Sequence, residues 1–388
     1  MPDTRAIKRW NFRIIPVLIV GVFGVAAYAV VGRLCVENIL RAQGKTGLAA
    51  GLLVLFFPLY ILTLVSYARV FFAVQLDPGL VPLANGADRD EPGEKRRHSR
   101  LRHARDAEEP PWAPPDSSPD SPGLEAFYSK DVFACEADGR PKWCSECRQW
   151  KPDRAHHSRE LGRCVRKMDH LCPWVGGMVS ETSFNFFTQF TFYTACLCAL
   201  CGAISVYCLV KNLDSGNIVV DGWVIAIIAI SSIFGLFSFG MTLTAGHYIL
   251  TNITNIDMLR RRQTFNLAVR IPRGTPPSPK YQTITYPLLP TAAGATMPVQ
   301  ADYASASASA RDQDAFRTFA ILKTEPYENP WHLGFWENWK SVMGNKPSEW
   351  FLPIRHSPCC NHDSVHSDYP LGPLLDELRK RYELPDDK

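Results

Sequence analysis

Charged residues are absent from four long stretches of this sequence. Each stretch is mostly apolar and long enough to supply about 20 residues, the length of helix that crosses ~30 Å of hydrocarbon. A buried core helix would explain any one stretch, but four in a single chain indicate a membrane protein. We therefore predict transmembrane helices over residues 14–32, 46–68, 187–210 and 222–248.

Two further absences narrow the class of protein. No convincing small-residue cleavage site follows the first apolar stretch, and Arg33 closes a full-length span, so we expect an anchor rather than a removed signal peptide. A strong charge imbalance is also missing. The net charge of +4 is too small to argue for a nucleic-acid partner.

Lysine and arginine are unevenly distributed around the predicted helices. They concentrate before the first helix, in a basic run over residues 89–105 after the second, and at residues 260–262 after the fourth. The positive-inside rule then places both termini and the long segment between the second and third helices in the cytosol. We expect the host to be an endomembrane (endoplasmic reticulum, Golgi or vacuole) or the plasma membrane.

Two segments outside the spans have compositions unsuited to a core: 84–124, between the second and third spans, mixes Asp, Glu, Arg and Pro, and 272–312, after the fourth, is rich in Pro, Thr and Ala. Such segments cannot bury enough apolar surface to offset chain entropy, so we predict disorder there. The expected fold is an all-α membrane protein with a small, loop- and β-rich, Cys-rich domain between the second and third helices. Outside the helices the sequence predicts a cytosolic amino terminus (1–13), a partly disordered cytosolic linker (69–127), the Cys-rich domain (128–182), a juxtamembrane segment (249–271), a disordered linker (272–312) and a cytosolic carboxyl-terminal region (313–388) with an aromatic segment (329–344).

Cysteine and histidine cluster in the segment between the second and third helices. A Cys-x2-Cys pair turns two thiolates toward one metal, and a histidine and a third cysteine follow at intervals that complete a tetrahedral Cys3His zinc set. The predicted ligands are Cys144, Cys147, His157 and Cys164. A redox Cys-x2-Cys motif is the alternative, but no thioredoxin-like strand–helix pattern surrounds it. The cysteines inside the third helix, from Cys196 to Cys208, are interpreted as small packing residues.

A second constellation, Asp169-His170-Leu171-Cys172, precedes Pro173. The proline favours an extended backbone before it, so the side chains of His170 and Cys172 project to the same side. The imidazole can then act as general base for the thiol, whose ordinary pKa is about 8.5, and Asp169 can orient and charge-stabilise the ring. We predict a nucleophilic cysteine at the membrane surface, where it can meet both a lipid chain and a polar head group.

Four basic side chains lie near this constellation: Lys151, Arg154, Arg166 and Lys167. They either lower the pKa of the thiol and bind the phosphates of a substrate, or form an ordinary solvated basic face. The sequence leaves both interpretations open.

His247, within the fourth helix, is interpreted as an interfacial packing residue, and the pair Cys359-Cys360 either carries lipid or is idle.

Together these motifs resemble the DHHC family of palmitoyltransferases (protein S-acyltransferases), as a divergent, fungal-type member. The resemblance rests on MDHLCPW at residues 168–174 and on three supporting motifs. Asp77-Pro78-Gly79 follows the second helix, and a motif that includes Thr254 and Asp257 follows the fourth. The aromatic segment 329–344, which includes Asn338, resembles the family's carboxyl-terminal docking motif.

This resemblance implies a two-step reaction on palmitoyl-CoA. Cys172 is the position of the nucleophile that becomes S-palmitoylated, and the acyl chain then passes to cysteines of substrate proteins near the cytosolic membrane face. Asp169 and His170 match the family's acid and base positions. The implied co-substrate is fatty acyl-CoA, with its phosphates near the four basic side chains, and the implied partners are membrane-associated proteins and the bilayer.

The departure from the family pattern concerns a second zinc set. The positions that match its ligands hold Ser158, Leu161, Leu171 and Met178. We therefore expect one structural zinc ion rather than two, with the three apolar side chains buried together in place of the metal. Leu171 replaces a ligand and leaves Asp169, His170 and Cys172 intact. A catalytically weak or inactive membrane scaffold is the alternative function, and a metal carrier is disfavoured because the spans contain few ionisable residues.

Overall fold

The structure is a computed structural model that describes residues 4–83, 123–215, 221–260, 262–286 and 316–385, with side chains from residue 14 onward. Its chain forms two compact units. The first unit comprises Met1–Gly79, Met168–Leu259 and Leu333–Cys360, and the second comprises Leu80–Lys167, Arg260–His332 and Asn361–Lys388. Of the disordered stretches predicted over 84–124 and 272–312, residues 84–122 and 287–312 lie outside the described residues.

Four helices of the first unit are long and apolar enough to cross a membrane, which confirms the predicted architecture. These are the first to fourth spans: Ile14–Ala42, Thr46–Leu76, Phe184–Asp214 and Gly222–Thr251. All four are longer than the predicted spans. The first continues past Arg33 because its guanidinium is paired with Glu37 one turn later and with Asp221 at 3.1 Å. Charge therefore does not end this helix, whose second half is wound as a π-helix over Tyr28–Ala42.

The spans pack through apolar and small side chains. Cys201 and Cys208 of the third span are buried in one cluster with Cys35 of the first, which confirms their interpretation as packing residues. The third and fourth spans approach closely at two glycines. A Cβ on Gly235 would lie 3.1 Å from Cys198, and one on Gly202 would lie 3.2 Å from the Ser231 hydroxyl.

The short elements outside the spans divide between the two units. Ten strands occur in the described part of the chain: β1 Val132–Cys135, β2 Trp143–Cys144, β3 Gln149–Trp150, β4 His156–Ser158, β5 Arg163–Val165, β6 His170–Cys172, β7 Gly177–Val179, β8 Asn266–Ile271, β9 Gln282–Tyr286 and β10 Arg317–Lys323. The short helices are Glu125–Tyr128, Asn255–Leu259, Phe335–Met343, Pro347–Phe351 and Leu374–Arg381, with a 3-10 turn at Pro358–Cys360.

The second unit is built on a four-stranded antiparallel sheet in the order β1-β8-β10-β9. One face is covered by Trp331, Tyr369 and Leu378, and the other by Phe127 and Trp150. The hairpins β2–β3 and β4–β5 belong to the same unit. The first unit contains the hairpin β6–β7.

The prediction of a disordered linker over 272–312 is wrong for the strand β9. Its residues pair with β10 from Arg317↔Tyr286 to Ile321↔Gln282. Tyr286 is fully buried and donates a hydrogen bond from its hydroxyl to the carbonyl of Gly139 at 2.8 Å. The Pro- and Thr-rich composition of this segment gave no indication of a strand. The strand is stabilised by partners more than 30 residues away along the chain, which local composition does not reveal.

Candidate active site and metal centre

The hairpin β6–β7 carries the predicted nucleophile. It pairs His170 with Val179 and Cys172 with Gly177. Pro173 follows β6 and begins the turn, which Gly176 closes by donating its N–H to the Pro173 carbonyl at 3.2 Å. Gly176 has a φ of +77°, in the left-handed region that glycine adopts without strain. His170 and Cys172 therefore lie two residues apart on an extended strand, as predicted.

The second span holds the turn of this hairpin. The Tyr67 hydroxyl donates to the Trp174 carbonyl at 3.0 Å, and the Gln75 amide donates to the Gly176 carbonyl at 2.6 Å. A Cβ on Gly177 would lie 3.0 Å from the Cβ of Val74, so the hairpin backbone packs directly against the helix. Sequence analysis did not identify Tyr67 and Gln75 as supporting residues. Tyr67 lies within an apolar run and Gln75 lies beyond its end, and nothing in the surrounding sequence indicates their hydrogen-bond partners.

The three side chains of the constellation come together. Asp169 and Cys172 are buried, and His170 is partly buried. The Nδ1 atom of His170 lies 2.6 Å from Oδ2 of Asp169. Burial lowers the pKa of His170, but hydrogen bonds and charge from Asp169 and Cys172 outweigh it and raise the pKa to about 9. The ring therefore carries a proton at neutral pH, between the carboxylate and the sulfur.

The segment after the fourth span fixes the other oxygen of Asp169. The backbone N–H of Asn255 donates to Oδ1 of Asp169 at 2.8 Å. Thr254 and Asp257 form a reciprocal capping box around this N–H: the Asp257 carboxylate accepts from the Thr254 N–H at 3.0 Å, and the Thr254 hydroxyl accepts from the Asp257 N–H at 3.1 Å. Thr254 and Asp257 thus lie beside the site, and the donor itself is a main-chain group that side-chain motifs do not identify.

The Asp77-Pro78-Gly79 motif ends the second span in a tight turn. Oδ1 of Asp77 accepts from the Gly79 N–H at 3.2 Å. The carbonyl of Asp77 accepts from the Thr182 hydroxyl at 2.6 Å, and that of Pro78 accepts from the Ser180 hydroxyl at 3.0 Å. The motif therefore fixes the stretch that follows β7.

Asn338 lies in the short helix Phe335–Met343 of the first unit and is fully buried. Its amide donates to the Leu250 carbonyl at 2.7 Å, and its oxygen accepts from the Leu333 N–H at 2.9 Å. It satisfies a carbonyl in the last turn of the fourth span, where intrahelical partners are missing. Val342 and Met343 pack with Ile249 beside it.

The four predicted metal ligands converge in the second unit. His157 of β4 lies opposite Cys164 of β5, and Cys144 and Cys147 belong to β2 and the turn after it. The four ligand atoms lie within 4.8 Å of one another. Nδ1 of His157 is 3.5 Å from the sulfur of Cys144 and 3.3 Å from that of Cys147.

This donor set fits zinc. A tetrahedral zinc ion has bonds of about 2.3 Å to sulfur and about 2.0 Å to nitrogen, which place its ligands roughly 3.5 Å apart. Burial and the neighbouring Cys144 raise the pKa of Cys147, so these thiols need a cation to ionise together. Among the described residues, the four form the one Cys/His group gathered for metal binding.

The positions that match a second zinc set contain no cysteine or histidine. Leu171 lies opposite Met178 across β6–β7, and Ser158 accepts a hydrogen bond from the Leu161 N–H at 3.3 Å. Leu161 is 37% exposed, so the expectation that it is buried together with Leu171 and Met178 is wrong for this residue. It stands in the turn between β4 and β5, where a side chain reaches solvent.

The predicted phosphate-binding residues differ in exposure. Arg154 is buried and its guanidinium lies 5.1 Å from the centre of the Trp331 ring, while Lys167 is buried with its ammonium 5.8 Å from that of Tyr369. Lys151 and Arg166 are half-buried. Arg154 and Lys167 therefore contribute to packing. That any of the four residues contacts CoA phosphates stays a prediction. His247 is exposed, with its ring centre 6.1 Å from that of Tyr248, so its interpretation as a packing residue stays a prediction.

Comparison with known proteins agrees with this geometry. Residues 137–262 match the family described as DHHC palmitoyltransferase. The chain is 38% identical to "Palmitoyltransferase pfa5" of Aspergillus fumigatus over 98% of its own length and 92% of that protein. It is 34% identical to "Palmitoyltransferase pfa5" of Emericella nidulans, over 98% and 87%, and 25% identical to "Palmitoyltransferase PFA5" of Candida glabrata, over 97% and 92%. The chain therefore belongs to the DHHC palmitoyltransferase family and is a protein S-acyltransferase.

Proposed function

We propose that this acyltransferase works in two steps, with Cys172 as the nucleophile that carries the acyl chain between them. The single observation that supports this most strongly is the contact of His170 with both Asp169 and Cys172 in a buried setting. A histidine in contact with a cysteine can take the thiol proton, and the thiolate is the reactive form of cysteine.

In the first step the Cys172 sulfur attacks the carbonyl carbon of palmitoyl-CoA. A new carbon–sulfur bond forms to Cys172, the bond to the CoA sulfur breaks, and the CoA thiolate takes the proton that His170 holds. The contact between His170 and Asp169 keeps Nδ1 directed at the carboxylate. The other ring nitrogen is then free to exchange a proton with the reacting sulfurs.

In the second step the thiol of a substrate protein attacks the acyl-Cys172 thioester. His170, now neutral, accepts the proton of that thiol, and Cys172 leaves as a thiolate beside the regenerated imidazolium. The same base thus serves both steps in opposite directions. The protein is returned to its starting protonation state, and no redox partner is required.

The metal centre has a structural role in this proposal. Cys144, Cys147, His157 and Cys164 would hold one zinc ion in a closed Cys3His set, which leaves no open position for water. The ion would fix the hairpins β2–β3 and β4–β5. Metal analysis of the purified protein should give one zinc per chain.

We place the active site on the cytosolic face, because the sequence concentrates Lys and Arg on the side of the termini and of residues 69–181. The substrates would be membrane-associated proteins with cysteines near that face. Lys151, Arg154, Arg166 and Lys167 are the candidates for CoA phosphate contacts, of which the half-buried Lys151 and Arg166 have the freer side chains.

The test is incubation of the purified protein with labelled palmitoyl-CoA, followed by measurement of hydroxylamine-sensitive adduct. We expect an adduct in the wild type, none in Cys172→Ala, and a rate lowered by about 10²–10⁴-fold in His170→Ala. Cys196→Ala, which removes a third-span cysteine, is the matched control and should keep the full adduct. Absence of adduct in folded, zinc-loaded wild type would instead favour a scaffold, the alternative suggested by the loss of the second ligand set.

A further inference from the structure

A short segment after the helix Phe335–Met343 is bound along the third span by its backbone. The amide of Gln189 donates to the carbonyls of Glu349 at 2.9 Å, Trp350 at 3.1 Å and Leu352 at 3.4 Å. We call residues 347–355 the carboxyl-terminal hydrophobic segment.

Three more donors from the spans reach this segment. The Tyr193 hydroxyl donates to the Phe351 carbonyl, and the Asn185 amide donates to that of Arg355 at 2.8 Å. From the second span, Arg69 donates to the Ile354 carbonyl at 3.0 Å. Asn185, Gln189 and Tyr193 are spaced by four residues, so they line one face of the third span.

This spacing also gives the depth of the segment. An α-helix rises about 1.5 Å per residue, so Tyr193 lies about 12 Å further into the span than Asn185. The Arg69 guanidinium, which stacks 4.5 Å from the centre of the Phe186 ring, marks the shallow end with a charge. The Phe351 carbonyl therefore lies well below the level of that charge.

The helix Pro347–Phe351 is so short that its carbonyls lack intrahelical partners, as do those of the non-helical residues after it. At this depth they must be satisfied by protein, because no water is present to bind them. The polar side chains of an otherwise apolar span supply that need here. Asn185 and Gln189 are both buried, and their amide groups are directed to main-chain carbonyls of the segment.

Three large apolar side chains of the segment are exposed. Phe351 is 55% exposed and Ile354 is 65% exposed, and Leu352 is also exposed. Large exposed apolar groups next to a membrane-spanning helix contact lipid rather than water. Lys346 and Arg355 are exposed at the two ends, where cations suit the head-group region.

We propose that residues 347–355 insert into the bilayer leaflet on the active-site side, with Phe351, Leu352 and Ile354 among the acyl chains. The occupant of this surface is lipid, because the segment is continuous with the lipid-facing surface of the third span. His356, the residue after the segment, donates from Nδ1 to the carbonyl of Thr182 at 3.3 Å, in the stretch that follows the catalytic hairpin. The insertion would thus hold the hairpin β6–β7 at a fixed distance from the bilayer surface.

The experiment places the photo-crosslinker p-benzoylphenylalanine at single positions of the full chain in phosphatidylcholine nanodiscs. Phe351→p-benzoylphenylalanine conserves an aromatic ring and Ile354→p-benzoylphenylalanine adds bulk at an exposed site, so both variants should fold. Phe192, exposed on the third span, is the positive control, and Tyr327, an exposed aromatic residue of the second unit, is the negative control. Lipid adducts are measured by mass spectrometry of the crosslinked peptides.

We expect positions 351 and 354 to give lipid adducts at a yield similar to position 192 and at least about tenfold above position 327, since the latter lies outside the apolar segments. Gln189→Leu removes the three hydrogen bonds that the Gln189 amide donates to the segment. It should lower the yield of lipid adduct at position 351 and leave the yield at position 192 unchanged. Crosslinks at 351 to a second copy of the chain, or no lipid adduct there while position 192 reacts, would overturn the proposal.

Discussion

The hairpins β2–β3 and β4–β5 bring four candidate metal ligands together, whereas the hairpin β6–β7 has leucine and methionine at two positions that the family resemblance assigns to a second ligand set. Both kinds of hairpin are short and need external support. The first kind would gain it from a zinc ion held by the four candidate ligands. The second gains it from the Tyr67 and Gln75 bonds to its turn and from the Asn255 N–H on Asp169.

If the four candidate ligands hold zinc, the two regions illustrate two ways to fix a short hairpin. A metal site concentrates the stabilisation in four ligands, so the loss of one ligand removes most of it. Packing and hydrogen bonds distribute the stabilisation over many contacts, each worth about 1 kcal/mol. The two regions should therefore respond very differently to single substitutions and to pH.

The largest effect is expected from Cys164→Ser. Structural zinc sites contribute about 10 kcal/mol or more to folding, so removal of one ligand should abolish zinc binding and unfold the hairpins β2–β3 and β4–β5. Zinc content and hydrogen exchange of peptides from residues 143–165 measure this. Cys135→Ala removes a buried cysteine of the same unit that is not a ligand and should keep the metal. A wild-type content near two zinc ions per chain would contradict the comparison.

The two regions should have opposite pH dependences. The folded pKa of His170 is raised to about 9 from an ordinary 6.5, so the stabilisation it gives is complete below about 6.5 and is lost as pH rises through 9. That shift corresponds to at most about 3 kcal/mol. Zinc ligands instead compete with protons, so the metal hairpins weaken as pH falls.

Hydrogen exchange, corrected for intrinsic rates, can follow both regions in one sample. Peptides covering β6–β7 should lose protection between pH 8 and 10, and peptides covering β4–β5 should lose it below about pH 6, since thiolate ligands become protonated. His170→Gln should remove the alkaline change and leave the acid change in place. Equal alkaline loss in wild type and variant would assign that loss to another group.

A third, smaller effect is expected from Gly177→Ala. The added Cβ would lie 3.0 Å from the side chain of Val74 and 3.3 Å from its carbonyl, so the hairpin must move away from the second span. Overpacking of this kind costs about 1–3 kcal/mol. We expect slower autoacylation with unchanged zinc content, and Val74→Ala in the same chain should restore much of the rate. A loss of zinc would show that the two hairpin types are not independent.

Much of the fold could be predicted from the sequence because its signals are local. The four apolar runs, the ligand spacing and the Asp-His-x-Cys-Pro order each lie within short windows. The four-stranded sheet could not be predicted, since β1 pairs with β8 across more than 130 residues, as in Val132↔Val269. The second bond to Asp169 was hidden for another reason: its donor is a backbone N–H, which every non-proline residue possesses.

The smallest effect concerns that hidden bond. Thr254→Val keeps the shape of the side chain but removes the hydroxyl that accepts from the Asp257 N–H, and loss of a capping interaction costs about 1 kcal/mol. The start of the helix Asn255–Leu259 should loosen and hold its Asn255 N–H less firmly on Asp169. We expect autoacylation to slow by about fivefold, as 1 kcal/mol implies. Thr254→Ser retains the hydroxyl and should keep most of the rate, and both variants should bind zinc as the wild type does. If serine slowed the reaction and valine did not, the threonine methyl group rather than the capping bond would be the part that supports Asp169, and this support would come from packing.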